Sequence, residues 1–113
     1  MPVVYEILQY TLKKGTGQQF HFVMQNESIP LHEECGLTVL AYGNSLDNPD
    51  KYYLIRRFTD TRTMGETLEV FYADGRWRNG PREAIVSMIE ESHRVLLNEL
   101  SALAGLSEFQ VIR

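Results

Sequence analysis

The sequence predicts an α+β domain: a four-stranded antiparallel sheet with helices on one face. Three observations carry that prediction. Residues 3–15 (VVYEILQYTLKKG) read as one long strand closed by a glycine turn, and both of its faces are largely apolar. Residues 37–58 read as two further strands joined by a loop of turn-formers. Apolar stripes at helical spacing follow the first strand and the third. At 113 residues the chain is a single domain, residues 1–113, with room for one core.

In the opening strand Val3, Tyr5 and Ile7 point one way and Val4, Leu8, Tyr10 and Leu12 the other, because side chains alternate along a strand. A sheet wetted on one side would show a polar residue at every second position, so something is expected to pack on both faces. Helices of the same chain supply one cover and a partner subunit the other. Thr16 with Gln19 has the form of a capping box that starts a helix. Phe20, Val23, Met24, Leu31 and Cys35 form its buried stripe, and Pro30 predicts a kink or restart near residues 28–30, with Gly36 as the stop. Glu27 falls on the apolar stripe, and the favoured reading is that the kink lets it out.

Residues 37–42 (LTVLAY) predict the second strand, 43–50 (GNSLDNPD) a loop, and 51–58 (KYYLIRRF) the third strand. Asp60 is placed to cap a helix whose face is Met64, Leu68, Phe71 and Tyr72. Residues 73–82 read as a connection, and Asn79 with Pro81 as the start of another helix that buries Ile85, Met88 and Ile89. Its end has two readings. Periodicity permits one helix to about residue 104 with a last strand at 109–112; the competing reading stops near Glu91 and makes 93–98 the fourth strand. Both give strand, helix, strand, strand, helix, strand, the ferredoxin-like split βαβ arrangement.

Composition narrows the function. Hydrophobic residues make up 43% and charged residues 23%, as in an ordinary globular protein, and the net charge is −4. That charge argues against nucleic acid as the main partner. There is no basic-then-apolar leader pattern and no apolar run near the roughly 20 residues of a membrane helix, which predicts a cytoplasmic protein with no membrane partner. The lone Cys35 leaves no internal disulfide and no cysteine ligand pair. No metal and no cofactor are expected, since neither HExxH nor a two-His-plus-carboxylate spacing occurs; a haem held by His93 or His32 alone is the weakest reading.

Four segments resemble the NIPSNAP family: Tyr5-Glu6-Ile7-Leu8-Gln9-Tyr10-Thr11-Leu12-Lys13, Pro30 late in the first helix, Phe58-Thr59-Asp60 at a strand-to-helix junction, and Ala73-Asp74-Gly75-Arg76-Trp77. The likeness covers roughly residues 3–98, leaving 99–113 as a C-terminal tail. It implies the dimeric α+β barrel group, in which two ferredoxin-like sheets face each other across a two-fold axis, and hence a homodimer. It also favours the shorter last helix, because Glu91 to Leu97 looks like the family's closing strand. Leu8 stands where members often carry Arg, and Arg56 near a position often Trp. Barrels of this group include cofactor-independent monooxygenases, small-molecule isomerases and haem-degrading enzymes, and fold does not choose among them.

The candidate ligand-binding residues are Glu6 and Tyr10 on the first strand, Arg56 on the third and His93 on the fourth, all expected to face the dimer barrel. Tyr10 and His93 are the candidates for catalysis. A carboxylate, a phenol, a guanidinium and an imidazole around one cavity are able to bind and deprotonate a carbon acid. The expectation is a protein that binds a small aromatic or polyketide-like compound, with cofactor-independent oxygenase or isomerase-type chemistry. The rival is a non-catalytic homodimeric interaction protein in which Glu6 and Arg56 merely pair across strands. His21, Gln25, Ser28 and His32 fall near one helical stripe and are expected at the surface; the two histidines, about 16 Å apart on an unbroken helix, are too distant to share one metal. Arg76, Arg78 and Arg82 surround the last helix start and are read as a solvated cluster more readily than as an anion dock. Trp77 is read as a packing anchor.

Overall fold

The computed structural model describes residues 3–98. Strand β1 (Val4–Leu12) leads into a helical segment of three parts: α1 (Gly17–Val23), a π-helical turn (Met24–Ser28) and α2 (Ile29–Glu34). Strands β2 (Thr38–Asn44) and β3 (Lys51–Phe58) form the hairpin, followed by α3 (Thr61–Ala73), the short α4 (Gly75–Arg78), α5 (Arg82–Met88) and β4 (Ile89–Leu97). The sheet runs β2-β3-β1-β4 with every neighbouring pair antiparallel. This is the ferredoxin-like arrangement. The shorter reading of the last helix holds, and β4 begins earlier than residue 93, at Ile89. The alternative strand at 109–112 lies outside the described residues.

Alternation along β1 and β3 divides the sheet. Val4, Leu8 and Leu12 join Tyr52, Leu54 and Phe58 in the core under the helices. On the other face Ile7 pairs with Ile55 and with Val95, and Gln9 with Tyr53 and with His93. No described helix covers that face. Strand β4 is an edge, exposed along most of its length, with Val95 56% exposed.

The start of α1 is where expected, but the capping box does not form. The Thr16 hydroxyl donates to the Lys13 carbonyl instead, and the free backbone donors of Gly15 and Gly17 are both taken by the Asp50 carboxylate at 2.9 Å. Asp50 lies in the β2–β3 loop, 33 residues from Gly17, so local spacing gave no sign of it. Asp60 caps α3 as its position suggests, accepting from the Thr63 N–H at 2.7 Å.

The π-helical turn resolves the interruption at Pro30. Proline has no N–H for an i−4 carbonyl, and one extra residue in the preceding turn lets the helix continue past it. That residue also turns the rest of the helix about its axis. Phe20, Val23, Met24 and Leu31 are buried as their spacing predicts, Ser28, Ile29 and His32 are buried with them, and Glu27 is exposed. The expectation that Ser28 and His32 lie at the surface is therefore corrected: both are buried because the inserted residue swings them toward the sheet.

Candidate functional site

Glu6 and Arg56 stand opposite one another in the β1–β3 register. Both are 1% exposed, and the Arg56 Nε–H donates to Glu6 Oε1 at 2.7 Å. Their strands point these side chains toward the helices, with Leu8 and Leu54, and away from the open face. The expectation that Glu6, Tyr10 and Arg56 face a dimer barrel across that open face is thus corrected. The apolar character of β1 on both sides hid the distinction, since residue type alone gave no reason to choose which face the helices cover.

From the helix side His32 completes the network. Its Nδ1 lies 2.7 Å from the Ser28 carbonyl oxygen, which only accepts, so Nδ1 carries the proton. Its Nε2 lies 3.0 Å from Arg56 Nη1, which only donates, so Nε2 is the acceptor. The imidazole is neutral, and burial lowers its pKa to about 4 despite the Ser28 bond, which favours the charged form. Arg56 Nη1 also donates to the Tyr72 hydroxyl at 3.1 Å, and the Phe58 and Tyr72 rings lie 5.9 Å from the guanidinium carbon. Burial presses the Arg56 pKa down, but the Tyr72 phenol and the hydrogen-bonded Glu6 carboxylate outweigh it, so the guanidinium stays charged. On the β4 side the half-exposed Arg94 brings Nη1 to 3.5 Å from Glu6 Oε2. One buried carboxylate thus sits between two arginines.

The network reaches solvent through Tyr72, which is 40% exposed. Tyr72 and Tyr10 line one cleft of about 890 Å³ between the ends of β1 and β4 and the helices α3, α4 and α5. Trp77, Ile85 and Ile89 give it apolar walls, Arg78 and Arg82 line it as well, and Glu69 is the one carboxylate of the lining. Burial, with the neighbouring Tyr72 phenol, raises the Tyr10 pKa well above the ordinary phenol range, against the pull of Arg56. Tyr10 is therefore a hydrogen-bond donor at physiological pH and not a base. Trp77 is the packing anchor expected, with ring centroids 5.5 Å from Phe71 and 5.4 Å from Tyr72.

His93 does not join this group. It pairs with Gln9 on the open face, where its Nε2 lies 3.5 Å from Glu91 Oε2 and its side chain is 67% exposed. The four candidates thus divide: Glu6, Tyr10 and Arg56 share the helix side of the sheet, while His93 lies on the open face and lines, together with Tyr10, a second cleft of about 780 Å³ beside the β2–β3 loop. The arginine trio also divides. Arg76 holds Asp74 at 2.9 Å and Glu34 at 3.7 Å, with its Nη2 3.3 Å from the Cys35 sulfur, whereas Arg78 and Arg82 line the cleft. Spacing offers His32 only as a weak haem ligand and Tyr72 only as part of a buried helix face; their place beside Arg56 depends on long-range packing. Among the described residues no group of three His, Cys, Asp or Glu side chains is placed to hold a metal ion, and no helix is long and apolar enough to cross a membrane.

Fold and site together define a ferredoxin-like α+β domain with a cleft on the helix side, fed from behind by a buried ion pair. Solved structures share this architecture. A NIPSNAP family protein of unknown function from Agrobacterium tumefaciens matches with a TM-score of 0.77 at 24% identity, over 87% of this chain and 88% of that one. A NIPSNAP-like domain protein from Burkholderia xenovorans matches with a TM-score of 0.79 at 15% identity, over 88% of this chain and 86% of the other. SnoaB, a cofactor-independent oxygenase from Streptomyces nogalater, matches with a TM-score of 0.64 at 16% identity, over 88% of this chain and 94% of its own. Neither protein-family models nor curated proteins gave a match. At these identities the likenesses establish the fold, the one that the NIPSNAP-like segments implied.

Proposed function

We propose that this protein is a cytoplasmic homodimer that binds a small aromatic or polyketide-like molecule in the helix-side cleft and acts on it by cofactor-independent isomerase- or oxygenase-type chemistry. The observation that carries the reading is the pairing of two phenols in one cleft. Tyr72, having accepted a hydrogen bond from Arg56, keeps its own proton to donate, and a charged donor behind a hydroxyl strengthens the bond that hydroxyl gives. Tyr10 is held protonated. Two such donors suit a ligand oxygen on which negative charge develops, as when a carbon acid loses its proton and the electron pair moves onto a carbonyl. His32 is locked between Arg56 and Ser28, and Glu6 is held by two arginines, so neither is free as a base; Glu69 is the carboxylate of the lining open to that role. Return of the proton at another carbon is isomerisation. Reaction of the carbanion with oxygen, the electrons coming from the substrate itself, is the oxygenase alternative, and the likeness to SnoaB supports it. The apolar row Ile7, Ile55 and Val95 across the open face supports the second copy as its cover.

A second reading has its own support. Among the described residues no buried side-chain nitrogen or oxygen lacks a hydrogen-bond partner, as expected if Glu6, Arg56 and His32 serve packing alone in a non-catalytic homodimeric interaction protein. Native mass spectrometry of the protein from its own host separates the two. A dimer carrying a stoichiometric small molecule, lost in Tyr72→Phe while the dimer persists, supports the cleft. A dimer empty in both forms favours the interaction protein, and a monomer refutes the homodimer.

A further inference from the structure

We infer that the cleft is selective for a flat apolar molecule that carries an anionic group, such as an aromatic carboxylate, with Arg78 and Arg82 as its anion-recognising residues. The inference rests on the cleft being the binding site and adds the charge of what it takes. Tyr10, Tyr72, Trp77, Ile85 and Ile89 give the lining an apolar part, beside a polar part of similar extent to which Asn79 and the two arginines belong. The apolar part favours a planar hydrophobic body over a sugar or a peptide. Two guanidinium groups face one carboxylate in the same lining, in a chain whose overall charge is −4.

The two arginines are also free in a way that their neighbour is not. The carboxylates of Asp74 and Glu34 are engaged by Arg76. Among the described residues neither Arg78 nor Arg82 has an ion-pair partner within 4.0 Å, and Glu69 forms no ion pair with either. Arg78 follows Trp77 in the chain and Arg82 lines the same cleft, and a planar guanidinium is suited to bidentate contact with a carboxylate while an aromatic body packs on the rings of that lining. An exposed ion pair is weak, but one formed against the apolar part of the cleft lining is partly shielded from water and discriminates more strongly.

Trp77 is the chain's only tryptophan, so its fluorescence reports on the cleft without a label. The test compares 2-naphthoate with 2-naphthamide, which has the same shape and no charge, by Trp77 quenching and by calorimetry on the full chain. The naphthoate is expected to bind about tenfold more tightly, as charge-assisted bonds exceed neutral ones, and the preference should shrink as salt is raised from about 0.02 to about 0.5 M. In the double variant Arg78→Gln, Arg82→Gln the preference should fall to about one while naphthamide binding is retained. Both side chains are exposed, so the fold is expected to survive. Equal binding of the two probes, or a preference that persists in the double variant, overturns the anion inference and leaves the cleft standing. Failure of both probes to bind overturns the inference together with the cleft reading on which it rests.

Discussion

Replacing Arg56 with methionine keeps most of the side-chain volume and removes the charge, and the structure says what that leaves behind. Glu6, 1% exposed, loses its 2.7 Å partner, His32 Nε2 loses its donor, and the Tyr72 hydroxyl loses its contact with the network. Breaking a buried pair from one side costs about 3–5 kcal/mol, because the remaining charge has no compensation. Arg94, 3.5 Å from the other Glu6 oxygen, softens the loss, which places the expected cost near about 3 kcal/mol. For a domain of this size that corresponds to a fall in Tm of roughly 15 °C. The companion variant Glu6→Leu, and the pair of substitutions together, complete a double-mutant cycle. The double variant removes both charges at once and should be no less stable than Arg56→Met alone, giving a coupling of about 2 kcal/mol or more. Urea unfolding followed by circular dichroism measures all four corners. Single costs below about 1 kcal/mol, or effects that add within about 0.5 kcal/mol, would refute the account of a desolvated, coupled pair.

Further outcomes test other parts of the structure. The depressed pKa of His32, about 4, means that between about pH 4 and 6.5 the unfolded chain binds the proton and the folded one does not. The contribution is therefore fully present above about pH 6.5 and is lost as pH falls toward 4, by an amount on the order of 3 kcal/mol, and His32→Asn should flatten that stretch of the stability–pH curve. Asp50→Ala removes the acceptor for both Gly15 and Gly17 and should cost about 1–2 kcal/mol in urea unfolding. Gly17→Ala should destabilise more than alanine at the exposed α1 positions Gln18 and Gln19, because a Cβ there would stand 2.0 Å from the Pro49 carbonyl oxygen, which is backbone and cannot rotate away. In a spectrophotometric titration of the folded protein Tyr10 and Tyr52, whose pKa values burial raises, should ionise above the ordinary phenol range, and Tyr10→Phe should remove one late-titrating group. A late fraction unchanged in that variant would show Tyr10 to be more solvated than its position implies.

Much of the fold was legible because it depends on local patterns. The continuous apolar run of β1, the turn-formers between β2 and β3, and the Asp60 cap each act within a few residues, so the element order follows from the chain alone. The same is true of the Glu6 and Arg56 candidates, since charges inside apolar strands are anomalous wherever those strands pack. Periodicity leaves the end of the last helix open because Ile85, Met88, Ile89 and Leu96 suit either geometry; the resemblance favours the shorter helix, and the paired register of β4 with β1 decides it.

What the sequence could not determine is what depends on facing. Tertiary structure alone decided that Glu6, Tyr10 and Arg56 lie under the helices while His93 lies on the open side, because a strand apolar on both faces carries no label for its covered one. Nor did helical spacing foresee the buried His32. One residue inserted in a π-helical turn exchanges Glu27 for Ser28 and His32 at the core, a change of about 100° in facing that no count of periods on an unbroken helix contains. The cleft itself joins Tyr10 of β1 to Tyr72 of α3 and Arg82 of α5, residues far apart in sequence that only the packing of helices on the sheet brings together.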